Sequence, residues 1–122
     1  MCIFCDIIEK KVPAEIVYEN EHVMAFLNIA PKTPIHILIV PKMHITSINT
    51  LTVENSAYAS ALLLAAPLVA RTAGVGDGYK LACNVERKGG QMIDHLHLHL
   101  LGWREHEKGY DEDKFEKEVC TV

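Results

Sequence analysis

Asp94-His95-Leu96-His97-Leu98-His99-Leu100-Leu101 decides the reading of this chain. Three histidines alternate with three leucines. In an extended backbone, successive side chains point to opposite faces. His95, His97 and His99 then share one face, and Leu96, Leu98 and Leu100 share the other. On a helix the histidines would fan around the cylinder and the leucines would form no stripe. The alternation therefore predicts a strand with a leucine face in the core and an imidazole face lining a polar space. A single strand histidine is ordinarily a surface residue or a satisfied core residue. Three on one face are harder to dismiss. Each needs hydrogen-bond partners if buried, and clustered imidazoles repel when protonated. Histidines two apart can share one ion, but positions four apart lie about 13 Å from each other along a strand, which argues against one metal holding all three. An imidazole is left over for nucleophilic, acid–base or phosphate-binding work.

Working outward, Gly76-Asp77-Gly78 turns into a predicted strand from Tyr79 to Val85, and Glu86 to Asp94 form a loop carrying Gly89-Gly90-Gln91. With the histidine strand, which ends at Gly102, this makes an antiparallel hairpin with the glycines beside the imidazole face. Gly89 and Gly90 have no side chains, so their backbone N–H groups can approach an anion closely. Asn84 supplies an amide near the end of the partner strand. His36 opens an apolar, β-branched strand to Val40 that suits the middle of a sheet and reaches the same end. Ser-His-Asp spacing, a Walker loop and a Rossmann fingerprint are absent. No carboxylate pair for a divalent cation is evident. Imidazoles with backbone donors fit phosphoryl or nucleotidyl chemistry, in which a neutral imidazole attacks phosphorus.

The rest of the chain frames this hairpin. Cys2-Ile3-Phe4-Cys5 has the spacing of a knuckle for two thiolates, which alone is half a metal site. Asp6 to Lys11 reads as a short helix stopped by Pro13. Ile16 to Asn20 and Val23 to Asn28 read as strands, and Ala30-Pro31-Lys32-Thr33-Pro34 as a rigid loop. One long helix is predicted from Thr52, as N-cap, to Thr72, with Gly74 as its stop. Tyr58, Leu62, Ala65, Val69 and Thr72 make one stripe, and Leu63, Leu64 and Leu68 widen it, so a subunit interface is expected. Pro67 should kink this helix. The 122 residues suffice for one domain, with 49% hydrophobic residues, a net charge of −4 and no basic run, which argues against nucleic acid as partner. The apolar run Ala57–Ala70 is broken by Ser60 and Pro67 and is too short to cross a bilayer, so no membrane role is expected. Asp6, Glu9 and Lys10 come too early for a secretory signal, which makes the cytoplasm the expected location. There, four cysteines suggest metal ligands or buried thiols rather than disulfides; Cys83 and Cys120 read as structural or incidental. From Arg104 the chain is strongly charged, and Asp111 to Val119 is predicted to form a solvated helix.

His95-Leu96-His97-Leu98-His99-Leu100-Leu101 resembles the H-φ-H-φ-H-φ-φ signature of the histidine triad (HIT) superfamily. The resemblance runs from Cys2 to Gly102. It takes in Cys2-Ile3-Phe4-Cys5, Ile29-Ala30-Pro31, His36, Val40-Pro41-Lys42-Met43-His44, Asn84 and Gly89-Gly90-Gln91. The branch it most resembles is the Hint-type nucleotide-binding phosphoramidases. The resemblance implies an α+β fold: an antiparallel five-stranded sheet, one long helix and short helices, with two protomers forming a continuous sheet. It implies a domain over residues 1–104 and a charged tail over 105–122. It implies His97 as nucleophile on a purine nucleoside 5′-phosphoramidate, passing through a nucleotidyl-histidine to AMP- or GMP-type products. His99 would hold phosphate oxygens and assist the leaving group, and His36 would stand behind in a proton relay. Asn84, Gly90 and Gln91 would form the phosphate side. Ile3, Phe4, Ile7, Phe26, Leu27, Ile29 and Leu38 would form the base slot. Asn28 falls where the family usually places an aspartate on the ribose hydroxyls, and an amide accepts fewer hydrogen bonds. Met92 stands where a phosphate-binding serine is usual, and Trp103 where glycine is common. Cys2, Cys5, His44 and His95 would hold a structural zinc, and no organic cofactor is implied. The alternatives left open are a dinucleoside polyphosphate hydrolase or nucleotidyl transferase, and a non-catalytic nucleotide-binding zinc protein.

Overall fold

The structure is a computed structural model that describes residues 2–110. The predicted tail helix lies outside them. Five strands form one antiparallel sheet: β1 (Ile16–Glu19), β2 (Val23–Leu27), β3 (Ile35–Pro41), β4 (Lys80–Ala82) and β5 (Leu98–Gly102), in the order β1-β2-β3-β5-β4. Two helices, α1 (Ile3–Ile8) and α2 (Ser56–Thr72), lie on opposite faces. The predicted architecture is therefore present within one chain.

Register explains the layers. Leu38 pairs with both Phe26 and His99, and Ile39 pairs with Ala25 and Leu98. Partners opposite one another share a face. One face thus carries Val23, Ala25, Ile37, Ile39, Leu98 and Leu100, which join Leu96 and the α2 residues Leu62, Ala65, Ala66, Val69 and Ala70 in one core. The other carries Met24, Phe26, Leu38 and Val40, covered by Phe4 and Ile7 of α1. The imidazoles stand on this second face, beside the smaller core.

Four elements differ from expectation. α1 begins at Ile3 and ends at Ile8, three residues ahead of the expected Asp6–Lys11, with Cys2 as its N-cap. The regular ladder of β5 begins only at Leu98, so His95 and His97 lie on a lead-in outside the strand, with a bend at residues 93–95. That lead-in is tied instead by Leu96 N–H donating to Ile45 O at 2.6 Å. The leucine–histidine alternation still separates the faces: Leu96 joins the α2-side core, while His95 and His97 pack against Phe4. The preceding strand is three residues long, not seven. Finally, α2 starts at Ser56. Thr52 caps a separate 3₁₀ turn, Val53–Asn55, whose Asn55 Oδ1 accepts from Thr52 N–H at 2.8 Å.

α2 runs through Pro67 and stops before Gly74, whose φ of +80° glycine adopts without strain. Only one stripe of it is covered by this chain, since Leu63 and Leu64 are 64% and 69% exposed. With its leading turn, Val53–Thr72 is long and apolar enough to cross a membrane by length and composition only, a test that the core helix of a soluble protein also passes. Here its Leu62–Ala70 stripe packs on the sheet, as in the core helix of a folded domain.

Candidate active site and metal cluster

Backbone groups fix the protons of the buried imidazoles. A carbonyl oxygen can only accept and a backbone N–H can only donate. His97 Nδ1 lies 2.8 Å from the carbonyl of His95, so Nδ1 carries the proton and Nε2 keeps a bare lone pair. Lys32 N–H donates to His36 Nδ1 at 2.9 Å, so a neutral His36 carries its proton on Nε2. That nitrogen is 2.9 Å from His99 Nδ1. His99 Nδ1 therefore accepts, and its own proton sits on Nε2. The bond is diagonal across the ladder, because His36 pairs with Leu101 and Leu38 with His99.

Burial keeps this cluster neutral. It lowers His36 to about 4, with the Lys32 charge and then His97 adding to the effect. Burial also lowers His99 to about 3, with His97 and His36 adding. His97 is lowered by burial too, against a raising contribution from its bond to His95. Among the described residues, three buried side-chain polar atoms have no partner: His97 Nε2, His99 Nε2 and Asn84 Oδ1. Orphaned buried polar atoms are costly in a structural role, and all three belong to the predicted site. One offers a lone pair, one a proton and one an acceptor.

The glycine loop is built by side chains. Gln91 is buried; its Nε2 donates to Thr46 O at 2.7 Å and to Ile93 O at 2.9 Å, while its Oε1 accepts from Glu86 N–H at 2.8 Å. Gln91 thus shapes the loop, and its amide is spent internally rather than offered to a ligand. Asn84 Nδ2 donates to Gly89 O at 2.7 Å. Gly90 sits at φ +91° and closes the turn Arg87–Gly89. Glu86, at φ +61°, takes a conformation that ordinarily requires glycine; its carboxylate accepts from the buried Ser47 hydroxyl. Met92 is exposed.

The apolar slot is smaller than predicted. Phe4, Ile7, Phe26 and Leu38 form one buried cluster, with Phe4 edge-on to Phe26 at 5.5 Å and to His97 at 5.2 Å. Ile3 and Ile29 are exposed at its margin, Ile29 entirely so. Leu27 is not on this face: it pairs with Ile37, which belongs to the α2 side. The period of two along β2 turns Leu27 away from Phe26. Asn28 comes within 3.4 Å of His36 Nε2 through its Nδ2.

At the far end of the histidine run the chemistry changes. Cys2, Cys5, His44 and His95 bring one ligand atom each to within 4.8 Å of one another. Cys2 Sγ is 3.3 Å and Cys5 Sγ 3.6 Å from His95 Nδ1, and His44 Nδ1 is 3.2 Å from Cys5 Sγ. The edges of a tetrahedral S₂N₂ zinc site measure about 3.5 Å. His95 Nε2 donates to Pro41 O at 2.9 Å, which leaves the Nδ1 lone pair facing the sulfurs. The donor set fits a metal ion. Without one, burial and the neighbouring Cys2 push the Cys5 thiol up to about 11, a bias that a cation reverses.

The HIT domain family model matches residues 9–106. This chain belongs to the HIT family. It is 40% identical over 103 residues to the purine nucleoside phosphoramidase of Escherichia coli K12, covering 84% of this chain and 87% of that protein. It is 38% identical over 101 residues to Protein HitA of Neisseria gonorrhoeae, covering 83% and 94%. Its fold matches the crystal structure of a HIT family hydrolase from Legionella pneumophila Philadelphia 1 with a TM-score of 0.81 and 39% identity, covering 88% and 97%. It is a HIT hydrolase by family and fold. Four contributors to the site were not foreseen: Lys32 N–H, the His95 carbonyl, the Pro41 carbonyl, and the Ser47–Glu86 pair. The first three are backbone groups, which no side-chain pattern reports.

Proposed function

We propose that this HIT protein hydrolyses the P–N bond of purine nucleoside 5′-phosphoramidates, with His97 as nucleophile. The observation that carries the reading is the set of unpartnered buried atoms, His97 Nε2, His99 Nε2 and Asn84 Oδ1. His97 Nε2 forms a bond to the α-phosphorus as the P–N bond of the substrate breaks and the amine leaves. Water then cleaves the nucleotidyl-histidine and releases the nucleoside monophosphate. The departing nitrogen takes its proton from His99 Nε2, and the hydrolytic water returns one there as its hydroxyl bonds phosphorus, so over both steps water supplies the hydroxyl on phosphorus and the proton on the amine. His99 Nε2–H donates to a phosphoryl oxygen where charge builds, and His36 holds His99 in that tautomer. The Gly90 backbone and Asn84 flank the phosphate, and Phe4, Ile7, Phe26 and Leu38 receive the base. The relative named purine nucleoside phosphoramidase supports the substrate class.

A structural zinc held by Cys2, Cys5, His44 and His95 ties the N-terminus to the histidine run and takes no part in the chemistry. The uncovered leucines of α2 support a homodimer with a second copy of this chain on that face. Free Cys2, Cys5 and Cys83 support a reducing compartment such as the cytoplasm. The test is turnover of an adenosine phosphoramidate against a diadenosine polyphosphate, with parent and His97→Ala. The parent should cleave the P–N substrate faster, and His97→Ala should lose at least about 10³-fold in kcat. Parent-like release by His97→Ala removes the reading.

A further inference from the structure

Asn28 faces His36 with the wrong end of its amide for a hydrogen bond. Its Oδ1 accepts from Ala30 N–H at 2.9 Å, which pins the orientation and turns Nδ2 toward His36 Nε2 at 3.4 Å. His36 Nδ1 is already committed to accepting from Lys32 N–H, so its Nε2 carries the proton. Two donors therefore face each other, and that proton has one good acceptor, His99 Nδ1 at 2.9 Å. A side chain presenting a carboxylate oxygen at position 28 would be a second, charged acceptor for the same proton.

We infer that Asn28 is a positioning residue that acts by withholding an acceptor: it commits the His36 proton to His99 and so keeps a proton on the His99 nitrogen facing substrate. The inference rests on the preceding reading, in which His99 Nε2–H donates to the phosphoryl group. It extends that reading to a side chain that touches His36 and not the phosphorus. Asn28 lies beside no metal-cluster residue, and the direction of the relay follows from fixed backbone donors.

The test is nitrogen-15 NMR of the imidazoles in the free, metal-loaded protein, paired with steady-state kinetics on an adenosine phosphoramidate. The parent should show His99 protonated on Nε2 and bare on Nδ1. Asn28→Ala, which adds no acceptor, should keep that pattern. Asn28→Asp should split the His36 proton between two acceptors, weaken the Nε2–H form of His99, and lower kcat about tenfold without raising KM. A parent His99 protonated on Nδ1 overturns the inference. So does an Asn28→Asp protein whose His99 nitrogens are unmoved and whose kinetic change lies in KM alone. If the parent turns over no phosphoramidate, the functional reading falls, while the nitrogen spectra still decide the relay.

Discussion

Two groups flank the proposed phosphate position, and they are held in opposite ways. The imidazoles are oriented by backbone groups: Lys32 N–H on His36, the His95 carbonyl on His97 and the Pro41 carbonyl on His95. The glycine loop is oriented by side chains: Gln91, Asn84 and the Ser47–Glu86 pair. Backbone N–H groups are lost only to proline and carbonyls to no substitution, so these three orientations tolerate change around them; the His36–His99 bond beside Asn28 does not share that protection. The loop half fails one residue at a time, at positions remote from the chemistry.

The strongest challenge to that contrast is metal removal. Cys5→Ser should lose the ion and destabilise the fold by at least about 3 kcal/mol, read as a lower denaturant midpoint. His97 should keep its proton on Nδ1, because the His95 carbonyl accepts whether or not the His95 ring holds a metal. A variant with unchanged stability and metal content removes the cluster. One with a switched His97 tautomer removes the claim that backbone sets it.

Acid should strike the imidazole half. Burial holds His36 at about 4 and His99 at about 3, below the ordinary histidine value of about 6.5. The unfolded chain therefore binds more protons than the fold in that window. The stability these rings contribute is complete above about pH 6.5 and is lost as pH falls toward 4. With two rings the slope approaches about 3 kcal/mol per pH unit. Denaturant midpoints at pH 7.5, 6 and 5 should show it in both parent and Cys5→Ser, so that metal release is not the cause. A flat profile in both contradicts neutral burial.

Gln91→Ala tests the loop half at about 2 kcal/mol. It leaves Glu86 N–H and the Thr46 and Ile93 carbonyls without their partner. The kinetic cost should appear mainly in KM for the nucleotide, with the histidine nitrogens unchanged. A kcat loss with altered imidazole spectra would mean that the two halves are not separate.

The same contrast explains what could be read in advance. His95, His97 and His99 were legible because alternation sorts them from the leucines, and the two sets pack on opposite sides even before the ladder begins at Leu98. The Cys2, Cys5, His44 and His95 cluster was legible from a resemblance that carries its spacing, and the structure brings the four together. Leu27 was misassigned because its face depends on the register of β2 with β3. Gln91 was assigned to the ligand because a loop amide gives no sign of where it points until tertiary placement brings Thr46 and Ile93 beside it. Lys32 entered through its backbone, which every residue type shares.

Glu86 offers the smallest and most discriminating effect. At φ +61° a non-glycine residue bears strain of about 1 kcal/mol or more, yet its N–H, carbonyl and carboxylate are all engaged. Glu86→Gly relieves the backbone and releases Ser47, so the net stability change should be within about 1 kcal/mol. Stability alone therefore decides nothing, and a double-mutant cycle with Ser47→Ala is needed. A coupling of about 1 kcal/mol, with a raised KM in each single variant, would show that the carboxylate latches the loop to the segment after His44. A coupling near zero would show that Gln91 holds the loop unaided, and the strain at Glu86 would then lack a function.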